Sequence, residues 1–323
     1  MSNHFIKNIE IKNFKCFDNF KAEGFGRVNL IGGKNNVGKT AFMEALCINV
    51  YAHNLSSMTK VLLSPKLARE YLEIGYRRLS NEEVKDYLEF TKKYNAISNI
   101  HTNSFEILDN HGVKEYLFSI NNKVIKININ EFSYETQRVS NIKFITQLGY
   151  TKAQLKEVFE AVQRKDKEDT LYKYINEFDN NILNFKIIGG DKPQCKILNG
   201  EYRDINEFGD GLKHWISIIC SLYACEDGYL FIDEIDNGIH YTQLDKLWEI
   251  ILKISKEQNV QVFATTHSKE CIESYARVAK KLEDEEITMT VLARNPKNEI
   301  KALVYDDKMF YSELEQNHEV RGW

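Results

Sequence analysis

Three short runs hold the residue types that act on phosphate. Gly33-Lys34-Asn35-Asn36-Val37-Gly38-Lys39-Thr40 is a full match to GxxxxGK[ST]. Such a loop turns backbone N–H groups inward around phosphate oxygens, and the helix that follows adds the partial positive charge of its N-terminus. The candidate phosphate-binding set is therefore Gly33, Asn35, Asn36, Val37, Gly38, Lys39, Thr40 and Ala41. Lys39 has the reach for β and γ phosphates, and the Thr40 hydroxyl suits a magnesium ion. Asn36 stands where many such loops carry glycine; asparagine tolerates left-handed dihedrals, so the turn survives. The second run, Tyr229-Leu230-Phe231-Ile232-Asp233-Glu234, is four apolar residues followed by two acids. A buried strand ending in adjacent carboxylates can supply a magnesium ligand and a group that polarises an attacking water. Side chains alternate along a strand, so the two acids are expected on opposite faces, Asp233 for the metal and Glu234 for the water. The third run, Val260 to Ser268, carries an apolar strand out to His267. That histidine is placed to hydrogen-bond a γ-phosphate; a helix-capping or purely structural role is the alternative for it.

The elements needed to hold these runs are legible around them. Phe5 to Asn13 alternates apolar and polar residues, and Arg27 to Ile31 is β-rich and leads into the glycine loop. Thr40 to Tyr51 has helical apolar spacing, so strand, loop and helix follow in the order a phosphate cradle needs. Later segments read as a helix over Gly211 to Cys225, a strand over Tyr229 to Ile232, a helix over Tyr241 to Lys256 and a strand over Val260 to Ala264. That alternation is the pattern of buried parallel strands. Ile287 to Leu292 and Ile300 to Tyr305 read as two edge strands around the turn at Asn295-Pro296.

Between these parts the pattern changes. Ser57 to Ile97 reads as charged and helical, an inserted arm. Phe105 to Ile129 reads as short strands broken at Asn110-His111-Gly112 and Asn121-Asn122, both hairpin signals. Thr151 with Gln154 forms a capping-box pattern that opens helix continuing to about Phe178. Both helical stretches are expected to be insertion helices with solvated faces, although their Lys, Arg, Tyr and Phe content would also serve a partner. The expected organisation is an ATPase core split into 1–56 and 181–323, with a helical insertion at 57–100, antiparallel β hairpins at 101–150 and a second helical insertion at 151–180. Neither helical stretch sustains a heptad repeat.

Composition narrows the class. The 323 residues suit one large α/β domain with insertions, and the net charge of -4 leaves no global excess of positive charge to hold nucleic acid. The six cysteines form no CxxC pair, which argues for free thiols over zinc ligands. Met1 to Glu10 has no apolar run of signal-peptide length and no stretch approaches a membrane span, so a cytoplasmic protein without a membrane partner is expected.

In their order and spacing these runs resemble the ABC-type ATPases of the SMC and OLD-like group, AAA family ATPases of the kind found in bacterial anti-phage systems. The resemblance covers about the first sixty and last hundred and thirty residues. It implies an α/β P-loop NTPase fold of ABC-ATPase type: a mixed sheet core with an antiparallel β subdomain and an inserted helical segment. Within it Asn13-Phe14-Lys15-Cys16-Phe17 is similar to the N-terminal strand-turn that brings a basic residue, here Lys15, near the nucleotide. Asp236 and Asn237, in Asp236-Asn237-Gly238-Ile239-His240, correspond to the D-loop. Gln147 is the candidate for the glutamine of the magnesium shell, with an ordinary exposed turn residue as the alternative. Glu207-Phe208-Gly209-Asp210-Gly211-Leu212-Lys213-His214 sits where the ABC signature belongs, with Gly209, Asp210 and Gly211 as the part that would contact a partner's phosphate; Gly209 replaces the expected serine.

The resemblance implies ATP and magnesium as cofactors, catalytic roles for Lys39, Glu234 and His267, and metal ligation by Thr40, Asp233 and Gln147. It also implies a homodimer or higher homo-oligomer closed around ATP. Without a long coiled coil, and with only about fifty residues after His267, the chain reads as an ATPase lacking its own effector. The function expected is a slow ATPase acting as sensor or regulator for a separate effector, a nuclease or toxin, in anti-phage defence. Two alternatives stay open: an ATP-dependent binding scaffold with negligible hydrolysis, and a DNA-associated ATPase in DNA repair or maintenance.

Overall fold

The computed structural model describes residues 4–51, 96–98, 104–110, 113–120, 123–128, 141–147 and 149–315. Most of the arm expected over Ser57 to Ile97 lies outside these residues, as do both hairpin turns at His111-Gly112 and Asn121-Asn122. Residues 96–98, expected to be helical, instead form a strand.

The chain opens with β1 (Asn8–Phe14), β2 (Phe17–Glu23), β3 (Val28–Gly33) and α1 (Lys39–Tyr51). Then come β4 (Ala96–Ser98), β5 (Ser104–Asn110), β6 (Val113–Ile120), β7 (Lys123–Asn128) and β8 (Ile142–Ile145). Helices α2 (Lys152–Arg164) and α3 (Glu168–Phe178) lead to β9 (Ile182–Ile188), β10 (Lys192–Ile197) and β11 (Tyr202–Asp204). The remainder is α4 (Asp210–Ala224), β12 (Tyr229–Ile232), α5 (Leu244–Glu257), β13 (Gln261–Thr265), α6 (Lys269–Lys281), β14 (Ile287–Arg294), β15 (Ile300–Asp306) and α7 (Asp307–Glu315).

The central sheet has six strands in the order β15-β14-β3-β13-β12-β8. Its strands run parallel except for β15, which is antiparallel to β14. It is a mixed sheet with helices, an α/β fold. Alternation of side chains feeds two cores from the same strands. Val28, Leu30, Leu230, Ile232, Val262 and Ala264 enter one core with the apolar faces of α2 to α6. Ile31, Phe231 and Phe263 enter the other, with α1 and the β1–β2 ribbon. There Phe231 and Phe263 stack at 5.6 Å between ring centroids and 9° between planes, fixing neighbouring strands side by side.

Two expectations are corrected. The segment over Ile287 to Leu292 is not an edge strand: β14 pairs with both β3 and β15, and residues 287–292 are all buried. Thr288, polar enough in sequence to hint at exposure, donates its hydroxyl to Asn29 Oδ1 at 2.7 Å and is satisfied inside. Likewise α2 and α3 are not merely solvated. Leu155, Val158, Phe159 and Val162 fall at helical spacing on one face of α2 and are buried in the core that also receives α4, joined by Leu171 and Ile175 of α3. The Thr151 and Gln154 capping box is formed.

Among the described residues three further sheets are antiparallel: β2-β1-β4, β5-β6-β7 and β11-β10-β9. The last runs by a 3-10 turn, Ile205–Phe208, into Gly209 and the start of α4. Among the described residues no helix is long and apolar enough to cross a membrane.

Candidate functional site

β3 is buried along its whole length and delivers Gly33 to the start of the phosphate loop. Gly33 has φ +148°, and a Cβ there would lie 2.7 Å from the Leu292 carbonyl oxygen and 2.8 Å from Val37 Cγ1. Asn36 adopts φ +62°, the left-handed turn anticipated for it. Gly38, at φ +106°, backs onto Cys16: a Cβ would meet Cys16 Sγ at 2.7 Å. The β1–β2 turn thus braces the loop from below. Lys39 Nζ donates to the carbonyls of Gly33 at 2.8 Å and Lys34 at 3.1 Å, which holds the ammonium across the loop. Burial lowers its pKa, while Glu234 and Asp233 act in the opposite sense. Lys15 lies in the bracing turn with φ +52° and pairs with Glu44, a buried residue of α1 one turn beyond Thr40.

The acidic pair is built on β12 and β13. Asp233 is buried, and its N–H donates to the Ile145 carbonyl of β8 at 2.8 Å. Its carboxylate accepts from Thr265 Oγ1 at 2.7 Å and from Thr40 Oγ1 at 3.1 Å. The hydroxyl of the phosphate loop and the first acid of β12's end, 193 positions apart in sequence, therefore converge. Glu234 differs from the expectation of simple strand alternation. β12 ends at Ile232, and Glu234 takes φ +55°, a left-handed conformation that costs a non-glycine residue about 1 kcal/mol or more. Its N–H donates to Thr265 Oγ1 at 2.8 Å, and the next N–H, of Ile235, donates to the Thr265 carbonyl at 2.9 Å. The left-handed turn, not the pleat, separates the two carboxylates.

Thr265 and Thr266 were passed over in the sequence as the polar end of an apolar strand. Thr265 bonds the Asp233 carboxylate and the Glu234 backbone N–H, and Thr266 donates to Asp236 Oδ1 at 2.6 Å. Their one visible signal was a pair of hydroxyls ending a buried strand beside an acidic one. His267 follows them and is exposed. Gln147 is exposed, and its carbonyl accepts from Asn237 Nδ2 at 2.8 Å, so the glutamine and D-loop candidates are in contact.

At the signature position Gly209 has φ +80° and ψ 171°, a combination essentially confined to glycine, which gives a backbone reason for the absence of serine. Gly209 and Asp210 are exposed, and α4 starts with no side-chain cap. Gly211 is buried against the segment of the D-loop candidate: a Cβ on it would lie 2.0 Å from the Gly238 carbonyl oxygen.

The sequence profile of the family described as "AAA domain, putative AbiEii toxin, Type IV TA system" matches residues 28–273, from β3 through the phosphate loop and acidic pair into α6. The chain belongs to that family. It is an AAA-type ATPase. A curated relative of this AAA ATPase, the "ATP/GTP phosphatase" of Helicobacter pylori, is 26% identical over 328 residues, spanning 85% of this chain and 88% of that protein. Among solved structures, the SMC head domain from Thermotoga maritima aligns at a TM-score of 0.47 with 12% identity, over 93% of this chain and 98% of that one. An SmcHead bound to the C-winged helix domain of ScpA aligns at 0.49 with 11% identity, over 94% and 98%. Among the described residues of the AAA ATPase no cluster of three or more His, Cys, Asp or Glu forms a metal site of its own. The oxygen donors of Thr40 and Asp233 fit magnesium, which takes few protein ligands and completes its shell from phosphate and water.

Proposed function

We propose that this ATPase binds ATP in the loop 33–41 and hydrolyses it with Glu234 as the group that polarises the attacking water. The observation that carries this reading is the convergence of Thr40 and Asp233 with Glu234 held beside them by Thr265. Lys39 neutralises charge on the transferring phosphoryl group, and Glu234 accepts a proton from the water as its oxygen bonds to the γ-phosphorus and the bond to the β-phosphate oxygen breaks. Thr40 and Asp233, with Gln147, would hold a magnesium ion, which when bound would supply charge neutralisation for the transferring phosphoryl group. His267 takes a hydrogen bond to the γ-phosphate.

The same reading places a second copy across the site. Gly209 and Asp210 are exposed at an uncapped helix start, whose free N–H groups and dipole suit an anion brought by another subunit. ATP then acts as the joint of a homodimer, Lys15 stands near the nucleotide, and turnover is slow. The output passes in the cytoplasm to a separate nuclease or toxin effector in anti-phage defence. The uncapped glycine also favours a second reading, a scaffold that assembles on ATP and releases almost no phosphate.

The deciding measurement is the molar mass in solution of Glu234→Gln with and without ATP, beside steady-state phosphate release by the parental protein. A doubling of mass with ATP and measurable release support the first reading; doubling without release supports the scaffold. An unchanged mass removes the dimer.

A further inference from the structure

Behind the exposed start of α4 lies a polar contact that the reaction chemistry does not use. His214, one turn into α4, is buried, and its Nε2 lies 3.2 Å from the Ile235 carbonyl oxygen. A carbonyl only accepts, so the ring is in the tautomer with its proton on Nε2. Burial pushes the imidazole pKa down to about 4, with Asp236 the charged group acting to raise it, so the ring is neutral near pH 7.

The residue it holds is the one after Glu234. Ile235 is fully buried, its N–H is bound to the Thr265 carbonyl from the β13 side, and its C=O is bound to His214 from the α4 side. The peptide groups on both sides of Ile235 are thus held, which fixes the exit of the left-handed turn at Glu234. Three residues on, Gly238 meets Gly211 backbone to backbone, with Gly238 at φ +70° and no space for a Cβ on either glycine. The helix start that faces outward and the turn that carries the water-polarising acid are thus two ends of one joint.

We propose that His214 is a positioning residue for Glu234, and that through it a phosphate gripped at the start of α4 is felt at the acid of the same subunit. The cross-subunit half of this rests on the dimer described above; the intrasubunit half does not. A γ-phosphate held by one subunit's helix start then sets that subunit's own Glu234, so each nucleotide helps to prepare the other's hydrolysis.

The test compares His214→Leu and His214→Gln in the full chain, measuring kcat, KM for ATP, and melting temperature. The leucine removes the donor; the glutamine amide places a nitrogen close to the position of Nε2 and keeps it. His214→Leu is expected to lower kcat roughly 10-fold with KM near the parental value, a size typical of coupling substitutions away from the ligand, and His214→Gln is expected to restore most of it. A role limited to packing would lower melting temperature without this split and without rescue by glutamine. Parental kcat in the leucine variant, or an equal fall in both variants, overturns the proposal. The masses of Glu234→Gln and of Glu234→Gln with His214→Leu, each with ATP, separate the two layers. Doubling in both leaves the dimer intact and the kcat comparison decisive for His214, whereas no doubling in Glu234→Gln alone overturns the cross-subunit half.

Discussion

The two halves of the proposed nucleotide site are built to opposite specifications. On the acid side every key group is tied within the chain: Asp233 by Thr40, Thr265 and the Ile145 carbonyl, Glu234 by Thr265, and Lys39 by its own loop. On the signature side Gly209 and Asp210 stand exposed, the helix has no side-chain cap, and Gly211 and His214 brace it from behind. The first half is preorganised by internal hydrogen bonds, while the second presents an exposed helix start with no side-chain cap. Preorganised polar groups in a water-poor site account for much of catalysis, so the acid side should dominate rate and the signature side should govern association.

The sharpest way to break this contrast is at Glu234. Glu234→Gln is expected to lower kcat by about 10²- to 10⁴-fold with ATP affinity retained, measured by phosphate release and equilibrium binding. A variant that kept the parental rate would strip the acid side of its leading role.

Acidification probes the joint between the halves. His214 has its folded pKa lowered from 6.5 to about 4, so the stability tied to its neutral form is complete above pH 6.5 and is lost as pH falls towards 4. The loss amounts to about 3 kcal/mol at the acid end, in addition to what the carboxylates contribute. Denaturant unfolding at pH 7 and pH 4.5 should show a flatter dependence for His214→Gln; identical slopes would mean that the ring is not held neutral.

A smaller effect is expected at the hydroxyl that serves both acids. Thr265→Val keeps the shape but leaves the Glu234 N–H without its acceptor and takes the shorter of two bonds from Asp233 Oδ1, a cost of about 2 kcal/mol in stability, together with a kcat lower by roughly 10-fold. If unfolding and turnover were both unaffected, Thr265 would be mere strand packing.

At the other half, Gly209→Ser supplies the hydroxyl that the ABC signature leads one to expect. Because φ +80° with ψ 171° is a glycine conformation, the change should cost about 1 kcal/mol of stability and leave kcat no higher. A faster enzyme of unchanged stability would show that the missing hydroxyl, and not the backbone, limits this side.

What was legible in the sequence tracks how local the physics is. The phosphate loop and Asp233-Glu234 could be read because each is a contiguous run whose neighbours along the chain are also its neighbours in space. β12 was placed at its observed limits, Tyr229–Ile232, since four apolar residues before two acids leave little choice. Thr265 and His214 could not be read, because their partners lie 32 and 21 positions away and only the fold brings them together. The left-handed turn at Glu234 was hidden for the same reason: it is held by bonds from β13, not by any preference of glutamate. The sheet β9 to β11 was missed because its strands carry Lys186, Lys192 and Lys196 among apolar residues, and its Gly189-Gly190 turn was not weighed as a hairpin. β14 reads as an edge because its pairing with β3, from the opposite end of the chain, leaves no local signal.

The meeting of Gly211 and Gly238 has a mechanical meaning. Side chains between two elements act as compliant padding: they change rotamer and absorb small displacements. Here two main chains touch with nothing interposed, so a shift of a few tenths of an ångström on one side has nowhere to dissipate and is passed on at full amplitude.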